Sequence, residues 1–129
     1  MKLRGILINP WKKEISEVQV ERDIHAWHKL LRCDCLCAAR IGTIQGQLSL
    51  DVWLDDNGLL QEPVPPRFKL EGYPEPLCGY GLVLCSDAGG ETVSLPKMLT
   101  HEVFLLTQKP GFEQWEQRME PIGYPDHMI

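Results

Sequence analysis

Two histidines and three cysteines near residue 30 are the side chains of this sequence best suited to chemistry. The set comprises His25, His28, Cys33, Cys35 and Cys37. Histidines three apart share one side of a helix, and alternate cysteines on a strand share one sheet face, so these ligands could converge on zinc. However, structural zinc sites usually present C-x-x-C pairs, whereas alternate cysteines also suit a buried strand. We therefore predict reduced cysteines, no metal and no cofactor.

The acidic segment after residue 50 could bind a cation or supply paired carboxylates. It includes Asp55 and Asp56 but lacks the spacing of a calcium loop. We interpret Asp56-Asn57-Gly58 as a solvated tight turn whose residues tolerate positive φ. A cysteine nucleophile would need a histidine brought close by folding, and several histidines qualify equally. With no nucleophile elbow and no phosphate loop in the sequence, we predict that the chain is not an enzyme.

Apolar periodicity predicts the elements that would position these residues. Alternation over residues 3–20, interrupted by a turn at 9–12, predicts a β-hairpin. Asp23 is placed to cap a helix that runs to Leu31 and lies across the sheet. The apolar face of that helix comprises Ile24, Trp27, Leu30 and Leu31. These patterns predict a single α+β domain with one main helix packed on a mostly antiparallel or mixed sheet.

The rest of the chain reads as strands joined by turns, followed by two helical segments. The predicted segments before residue 96 are a strand at 33–41, a glycine-bounded connection at 42–46, a strand centred on 52–54, an irregular excursion at 58–76 and a buried strand at 79–85. Residues 98–107 fit a helix or a strand, and we favour the helix. Residues 112–119 repeat apolar positions at helical spacing and predict a short C-terminal helix. We expect residues 122–129 to be loose unless a partner holds them.

Length and charge restrict the partners. A chain of 129 residues suits one hydrophobic core. The net charge of −5 disfavours direct nucleic-acid binding, which needs clustered lysine and arginine, and favours protein partners, including nucleic-acid-binding ones. No apolar run approaches the roughly 20 residues of a membrane span, and no signal peptide is evident. We predict a cytoplasmic protein without a membrane partner.

Several segments carry a resemblance to a known family. Leu50 to Leu60 forms a strand and an acidic turn ending in glycine, Pro63 to Arg67 follows it, and Tyr80 to Cys85 forms a later strand. With the first hairpin and helix, they make the chain resemble a small domain of unknown function encoded by phages, plasmids and integrative elements. The resemblance spans about residues 3–95, so we divide the domain into a family-like core at 1–95 and an extension at 96–129. Pro66 stands where the family would carry asparagine.

This resemblance implies an accessory protein that inhibits a host defence or regulatory factor by direct binding, as anti-CRISPR and antirestriction proteins do. An acidic edge could compete with DNA for a basic groove. The candidate carboxylates are Glu14, Glu17, Glu21 and Asp23 at one edge, and Asp55, Asp56 and Glu62 at another. A possible homodimer is left open.

The proline-stiffened segment after residue 62 is the candidate recognition loop. Arg67, Phe68 and Tyr73 are its binding residues, because aromatics and arginine dominate interface hot spots. The other interpretation is that Phe68, Leu70 and Tyr73 fold back to cover the sheet.

The alternative function is a small-ligand binder, such as a sponge for a nucleotide signal. Arg4, Arg40 and Arg67 could meet its phosphates if folding brings them together.

Overall fold

The structure, a computed structural model, describes residues 2–113. Its strands and helices in chain order are β1 Lys2–Asn9, β2 Glu14–Glu21, α1 Ile24–Leu31, β3 Leu36–Ile44, β4 Leu48–Asp55, β5 Arg67–Lys69, β6 Leu77–Cys78, β7 Gly81–Ser86, β8 Thr92–Val93, α2 His101–Gln108 and β9 Gly111–Phe112. A short 3-10 turn, Gly58–Leu60, follows β4. The predicted α+β class is confirmed, and strands dominate it.

The main sheet has the order β2-β1-β7-β4-β3, with β8 paired to the end of β7. Every neighbouring pair is antiparallel. The first two strands form the predicted hairpin, with Lys2 opposite Glu21 and Asn9 opposite Glu14. A second sheet, β6-β5-β9, is also antiparallel. The central strand β7 therefore joins two hairpins, β1–β2 and β3–β4.

The two faces of the main sheet carry separate hydrophobic cores, because successive strand residues point to opposite faces. Along β7, Leu82 and Leu84 belong to one core, and Val83 and Cys85 belong to the other. All four are buried. The first core also contains Leu3, Val20, Trp27, Leu31, Cys33 and Tyr80. The second includes Ile6, Ile8, Val52, Phe68, Leu95, Leu99 and Phe104.

Helix α1 begins and ends with local caps that the sequence predicted in part. The Asp23 carboxylate accepts from the backbone N–H of His25 at 3.0 Å, as expected for the cap. Trp27 is buried and donates from its indole nitrogen to the Glu21 carbonyl at 2.7 Å. The expectation that Ile24 joins the buried face is wrong, because this residue at the first helical position is 48% exposed.

Helix α2 confirms the preference for a helix after residue 96. Its cap is Thr100, whose hydroxyl accepts from the N–H of Val103 at 3.2 Å. Phe104 is fully buried in the core that contains Val83. Within residues 2–113, α1 and α2 each contain eight residues, so neither α-helix is the main one.

The predicted C-terminal helix does not begin at Phe112. That residue lies in β9, where it pairs with Phe68 of β5. Residues 114–119 of the predicted helix and the tail at 122–129 lie outside the described residues. No helix within residues 2–113 is long and apolar enough to cross a membrane.

The middle of the chain departs from prediction at three places. Strand β3 begins at Leu36, so Cys33 and Cys35 precede it and do not share a sheet face with Cys37. Gly42 lies within β3, directly after a bulge, instead of opening the connection to β4. The excursion at 58–76 contains the strand β5. At β5 the second sheet packs on the main one. The contact is so close that a Cβ on Gly81 of β7 would lie 2.9 Å from the Phe68 ring of β5.

Candidate binding cleft

A small cleft lies where the β1–β2 turn, the end of α1 and the segment after β4 meet. We call it the aromatic cleft, and its volume is about 60 Å³. Its walls are formed by Trp11, Leu31, Arg32, Asp55, Gly58, Gln61, Pro65, Cys78, Gly79 and Tyr80. The acidic turn, the proline-rich stretch and the strand beginning near Tyr80, which carry the sequence resemblance, thus contribute to one surface feature.

The aromatic wall is built from a tight turn and a strand start. In the β1–β2 turn, the Asn9 side-chain oxygen accepts from the N–H groups of Trp11 at 3.1 Å and Lys12 at 3.3 Å. This fixes the turn, and the Trp11 ring lies against Tyr80 with 4.7 Å between centroids and 38° between planes. Such tilted pairs stabilise beyond their buried area. Tyr80 itself is almost fully buried, which leaves Trp11 as the partly exposed ring of the pair.

Arg32 brings a positive charge to this wall. It ends α1 in the left-handed conformation, with φ of 54°, and its N–H donates to the Lys29 carbonyl at 3.3 Å. Its guanidinium carbon lies 5.1 Å from the centre of the Tyr80 ring. An arginine at this distance is attracted by the negative ring face. The end of the helix therefore positions a half-buried cation over an aromatic side chain.

Asp55 organises the opposite wall. Its carboxylate accepts from the backbone N–H of Asn57 at 2.9 Å and also from the side-chain amide of Gln61. The tolerance of positive φ that was predicted to explain Asp56-Asn57-Gly58 is not used, since none of these three residues has a positive φ. Instead, Gly58 permits close packing, because a Cβ there would lie 3.2 Å from the Cys78 Cβ.

Asp56 has a different role from Asp55. Its backbone N–H donates to the Cys35 carbonyl at 2.9 Å, which ties the turn after β4 to the segment before β3. Burial raises the pKa of the Cys37 thiol, and a hydrogen bond with the Asp56 carboxylate raises it further. The structure thus directs Asp55 towards the cleft and Asp56 towards β3. The binding role assigned to both residues stays a prediction.

The predicted recognition loop is divided between surface and core. Phe68 is fully buried, so it lies outside any surface that a partner could touch. Tyr73 is half-buried and packs against the same core, as the alternative interpretation described. Arg67 remains exposed and forms an ion pair with Glu113, whose hydrogen bond and charge raise the Arg67 pKa. Its backbone pairs with Cys78, so Arg67 borders the aromatic cleft.

The three arginines proposed for a nucleotide site do not converge. Arg4 on β1 donates to the carbonyl oxygens of Pro96 at 2.6 Å and Leu99 at 2.8 Å. Arg40 lies on β3, which β7 and β4 separate from β1, so three strand spacings of roughly 14 Å in total lie between them. Arg67 belongs to the second sheet. These positions leave no shared phosphate site for the three side chains.

The acidic edge near β2 is largely engaged within the chain. Glu17 pairs with Arg4 at 2.8 Å, and Asp23 caps α1. Glu21 pairs with Lys2 at 3.2 Å, and the hydrogen bond and charge of Lys2 lower the Glu21 pKa. Carboxylates whose charge is already paired with a cation of the same chain are poor mimics of a phosphate backbone, so the structure gives little support to DNA mimicry at this edge.

The histidines and cysteines near residue 30 differ in burial: Cys33 is buried, whereas His25 and Cys35 are exposed. Within residues 2–113 no group of three or more histidine, cysteine or acidic side chains is placed to hold a metal. His28 Nδ1 lies 3.0 Å from the Cys33 carbonyl oxygen. Burial, followed by the negative charges of Asp55 and Asp34, raises the Cys33 pKa to about 12. A thiol with that pKa is protonated at neutral pH and is a weak nucleophile.

A larger apolar groove lies beside α2, on the other side of the main sheet from α1. Its volume is about 370 Å³, and it is lined by Gly42, Thr43, Ile44, Gln45, Leu50, Met98, Leu99, Val103, Thr107 and Gln108. This volume falls within the roughly 300–1,000 Å³ of small-molecule pockets, whereas the aromatic cleft has room for a single side chain or a few waters. The groove was not predicted, because its walls come from three separate parts of the chain.

Sequence reasoning missed the main members of the aromatic cleft. Trp11 lies in the predicted turn at 9–12, an unusual position for a core aromatic side chain and therefore a usable signal. Arg32 directly follows the predicted helix end, where a side chain is positioned by the cap. Gln61 carried no sequence signal, because its position depends on the Asp55 carboxylate.

Comparisons with known proteins give a family without a described activity. A search of curated proteins and a search of solved structures each found no match. A family profile matches residues 1–107, which includes both halves of the main sheet and most of α2. The match extends past the predicted limit at residue 95. The chain therefore belongs to the family described as "Domain of unknown function (DUF3846)".

Proposed function

We propose that this chain is a non-enzymatic accessory protein of a phage or other mobile element, which acts in the host cytoplasm and inhibits a defence or regulatory factor by direct binding. The observation that carries the proposal is the convergence of Trp11, Tyr80 and Arg32 at one surface cleft. Tryptophan, tyrosine and arginine are the residue types most enriched in interface hot spots.

The cleft suits insertion of one side chain from a partner loop. Trp11 and Arg32 are half-buried, so each has surface left for contact while being held in place by Tyr80. Asp55 and Gln61 add polar groups on the opposite wall. Side chains held before binding lose little rotamer entropy when the partner docks, which strengthens binding per contact.

The mechanism is occlusion and needs no reaction. A partner whose loop enters the cleft is also covered by the surrounding surface, where exposed Arg67 borders Cys78. A host factor held in this way loses access to its own nucleic acid or regulator. Because the chain carries a net charge of −5, basic nucleic-acid-binding proteins are the partners that its long-range field attracts.

The test compares two arginine variants in a phage plating assay. Host cells that carry restriction and CRISPR systems express the wild-type chain, Arg32→Ala or Arg22→Ala, and the plating efficiency of a targeted phage is measured. The control Arg22 is also an arginine near α1, but it pairs with Glu91 at 2.9 Å away from the cleft. We expect wild type and Arg22→Ala to restore plating, and Arg32→Ala to lose it through a hot-spot loss of about 2 kcal/mol.

The melting temperature of each variant separates binding from folding. Alanine keeps the Cβ of arginine, so Arg32→Ala adds no new strain at φ of 54°. An Arg32→Ala protein that melts like wild type and still restores plating would overturn the role of the cleft. Two null results together would overturn the proposed inhibition. Wild type would fail to restore plating against both systems, and it would co-purify the same host proteins as Arg32→Ala.

A small-molecule function has one observation in its favour, the apolar groove beside α2. Its lining of Ile44, Leu50, Leu99 and Val103 suits an apolar ligand better than a nucleotide. Native mass spectrometry of the protein purified from its host would detect such a ligand as a discrete added mass. Leu99→Trp, which fills the groove, should remove that mass, whereas Arg32→Ala should retain it.

A further inference from the structure

Helix α2 presents an outer face with an ordered sequence of charge and apolar groups. Glu102, Leu105 and Leu106 are exposed at i, i+3 and i+4, which places them on one side of the helix. Lys109 is also exposed and follows directly at the C-terminal end of the helix, where it is the C-cap residue in the left-handed conformation. We call these four residues the α2 outer face. Phe104 and Gln108 are buried on the opposite side.

The apolar part of this face is unusual for the described chain. Leu106 is 74% exposed and Leu105 is 36% exposed. Of the six exposed large apolar residues within residues 2–113, four lie between Met98 and Leu106. A helix with apolar side chains on its inner and outer sides is normally covered on both. The α2 outer face is therefore suited to contact with another protein surface.

The charges at its two ends cannot neutralise one another within one chain. Lys109 lies seven positions after Glu102, just past the end of the helix, so roughly 10 Å along the helix axis separates the two residues. Among the residues that the structure describes, neither side chain has an ion-pair partner. The face thus runs from an acidic residue through two leucines to a basic residue.

We propose that a second copy of this chain covers the α2 outer face, with the two helices packed antiparallel about a two-fold axis. An axis between Leu105 and Leu106 places Glu102 of each copy opposite Lys109 of the other. It also brings the two leucine pairs together at the centre. A two-fold interface uses the same patch on both subunits, so each favourable contact occurs twice.

The order of charges is the observation that selects a second copy as the occupant. In an antiparallel pair of helices, the acidic end of each face lies opposite the basic end of the other. In a parallel pair, like charges would lie opposite one another, so the face is complementary to itself only in the antiparallel arrangement. The same arrangement also sets the dipoles of the two helices in opposite directions. An unrelated partner would require no such relation between Glu102 and Lys109.

The interface is independent of the proposed function. The aromatic cleft is formed by the β1–β2 turn, the end of α1 and the segments around Gly58 and Tyr80, and α2 contributes nothing to it. An eight-residue helix is about 12 Å long, so contact through α2 and its flanks is smaller than a standard interface. We therefore expect a dimer that dissociates on dilution.

Charge reversal in two separate variants tests the antiparallel arrangement. Molecular mass is measured by analytical ultracentrifugation over a concentration series for wild type, Glu102→Lys and Lys109→Glu. Each variant alone places like charges together twice, and we expect its dimer to weaken by about tenfold or more. An equimolar mixture of the two variants restores both opposite-charge contacts, so the mixture is expected to dimerise like wild type.

Lys29→Glu is the matched control. Lys29 is exposed in the last turn of α1, which packs on the other face of the sheet, so this variant makes the same change of charge near a helix end. It should dimerise like wild type. If a reversal reduces the helix signal in circular dichroism, Leu106→Gln supplies the second test and should abolish the dimer.

Three results would overturn the proposal. The first is a wild-type chain that remains monomeric throughout the concentration series. The second is a variant mixture that stays monomeric while wild type dimerises, since it would rule out the antiparallel pairing of Glu102 with Lys109. The third is a dimer that persists in Leu106→Gln, since it would place the contact on another surface.

Discussion

Helices α1 and α2 have the same length and lie on opposite faces of one sheet, yet they differ in the residues that they expose on their outer sides. In α1, Trp27 and Leu31 are buried, the exposed Ile24 lies at the first position, and the last turn exposes Lys29. In α2, Phe104 is buried just as deeply, but Leu105 and Leu106 face outwards. Both helices are anchored by one large aromatic side chain. Their difference lies in what remains for another molecule to cover.

This contrast shows that the inner residues, which hold a short helix on the sheet, and the outer residues, which other molecules can contact, are determined separately. An eight-residue helix makes little more than two turns, so one aromatic residue is enough to hold it on the sheet. The polarity of the outer residues then depends on whether solvent or another protein covers them. In α1 the cover is solvent, and in α2 we infer that it is a second protein surface.

The largest expected effects come from removing either anchor. Trp27→Ala and Phe104→Ala should each lower the free energy of unfolding by ~3–5 kcal/mol, because both side chains are buried in a core. Urea denaturation followed by circular dichroism measures this. Equal losses would support the equivalence of the two helices. If Phe104→Ala were nearly neutral while Trp27→Ala was not, α2 would be a loosely held element and the comparison would fail.

The caps are expected to contribute less, and to a similar extent in the two helices. Asp23→Ala and Thr100→Ala each remove a side-chain acceptor from a first-turn N–H group and should cost about 1 kcal/mol. Asp23→Asn and Thr100→Ser keep an acceptor and serve as controls. The same denaturation experiment applies. Controls that lose as much stability as the alanine variants would show that the hydrogen bonds are not the cause.

Each core also contains one buried thiol, which makes stability depend on alkaline pH. Burial is the main cause that raises the pKa of Cys33 to about 12 and that of Cys85 to about 11, from an ordinary value of 9.0. Above pH 9 the unfolded thiols lose protons while the folded ones keep them. The folded state then binds more protons, so the free energy of unfolding falls as pH rises.

Cysteine variants separate the two contributions. Cys33→Ala removes the thiol of the core that contains α1, and Cys85→Ala removes the one in the core that contains α2. Each variant should show a shallower decline of stability above pH 9 than wild type, measured by denaturation at a series of pH values. A decline that is unchanged in both variants would assign the alkaline effect to other groups.

The smallest expected effect is that of the outer leucine of α2. Leu106→Gln should change the stability of the dilute monomer by no more than about 0.5 kcal/mol, because the side chain is 74% exposed. Thermal melting at low protein concentration checks this value. A large loss would mean that Leu106 supports the fold of its own chain, which would remove the contrast between the two helices.

Local signals in the sequence predicted the hairpin and α1 correctly. The β1–β2 register follows from alternating residues around a turn, and α1 begins directly after its Asp23 cap. The preference for a helix within residues 98–107 was also correct, but its start at His101 and its Thr100 cap were not predicted. These elements depend on neighbours within a few residues, and such neighbours can be read along the chain.

Elements that depend on distant partners were predicted poorly. Phe112 has helical spacing with later apolar residues, but it pairs with Phe68 in β9 and β5. The aromatic cleft joins Trp11, Arg32 and Tyr80, and their meeting depends on the strand order. A periodic pattern carries no information about which strands become neighbours. Part of the candidate site could therefore be identified only from the three-dimensional structure.

The central position of β7 has a consequence for how the chain is made. The ribosome synthesises both hairpins before it reaches Gly81–Ser86, the strand that pairs with β1 on one side and β4 on the other. Until then Ile6, Ile8 and Val52 lack the strand that joins them in one core. Proteins whose sheets close through such distant pairing fold slowly, and their unfinished chains tend to aggregate. Nascent chains stalled before Gly81 should therefore remain susceptible to protease, whereas chains in which β7 and α2 have left the exit tunnel should become resistant.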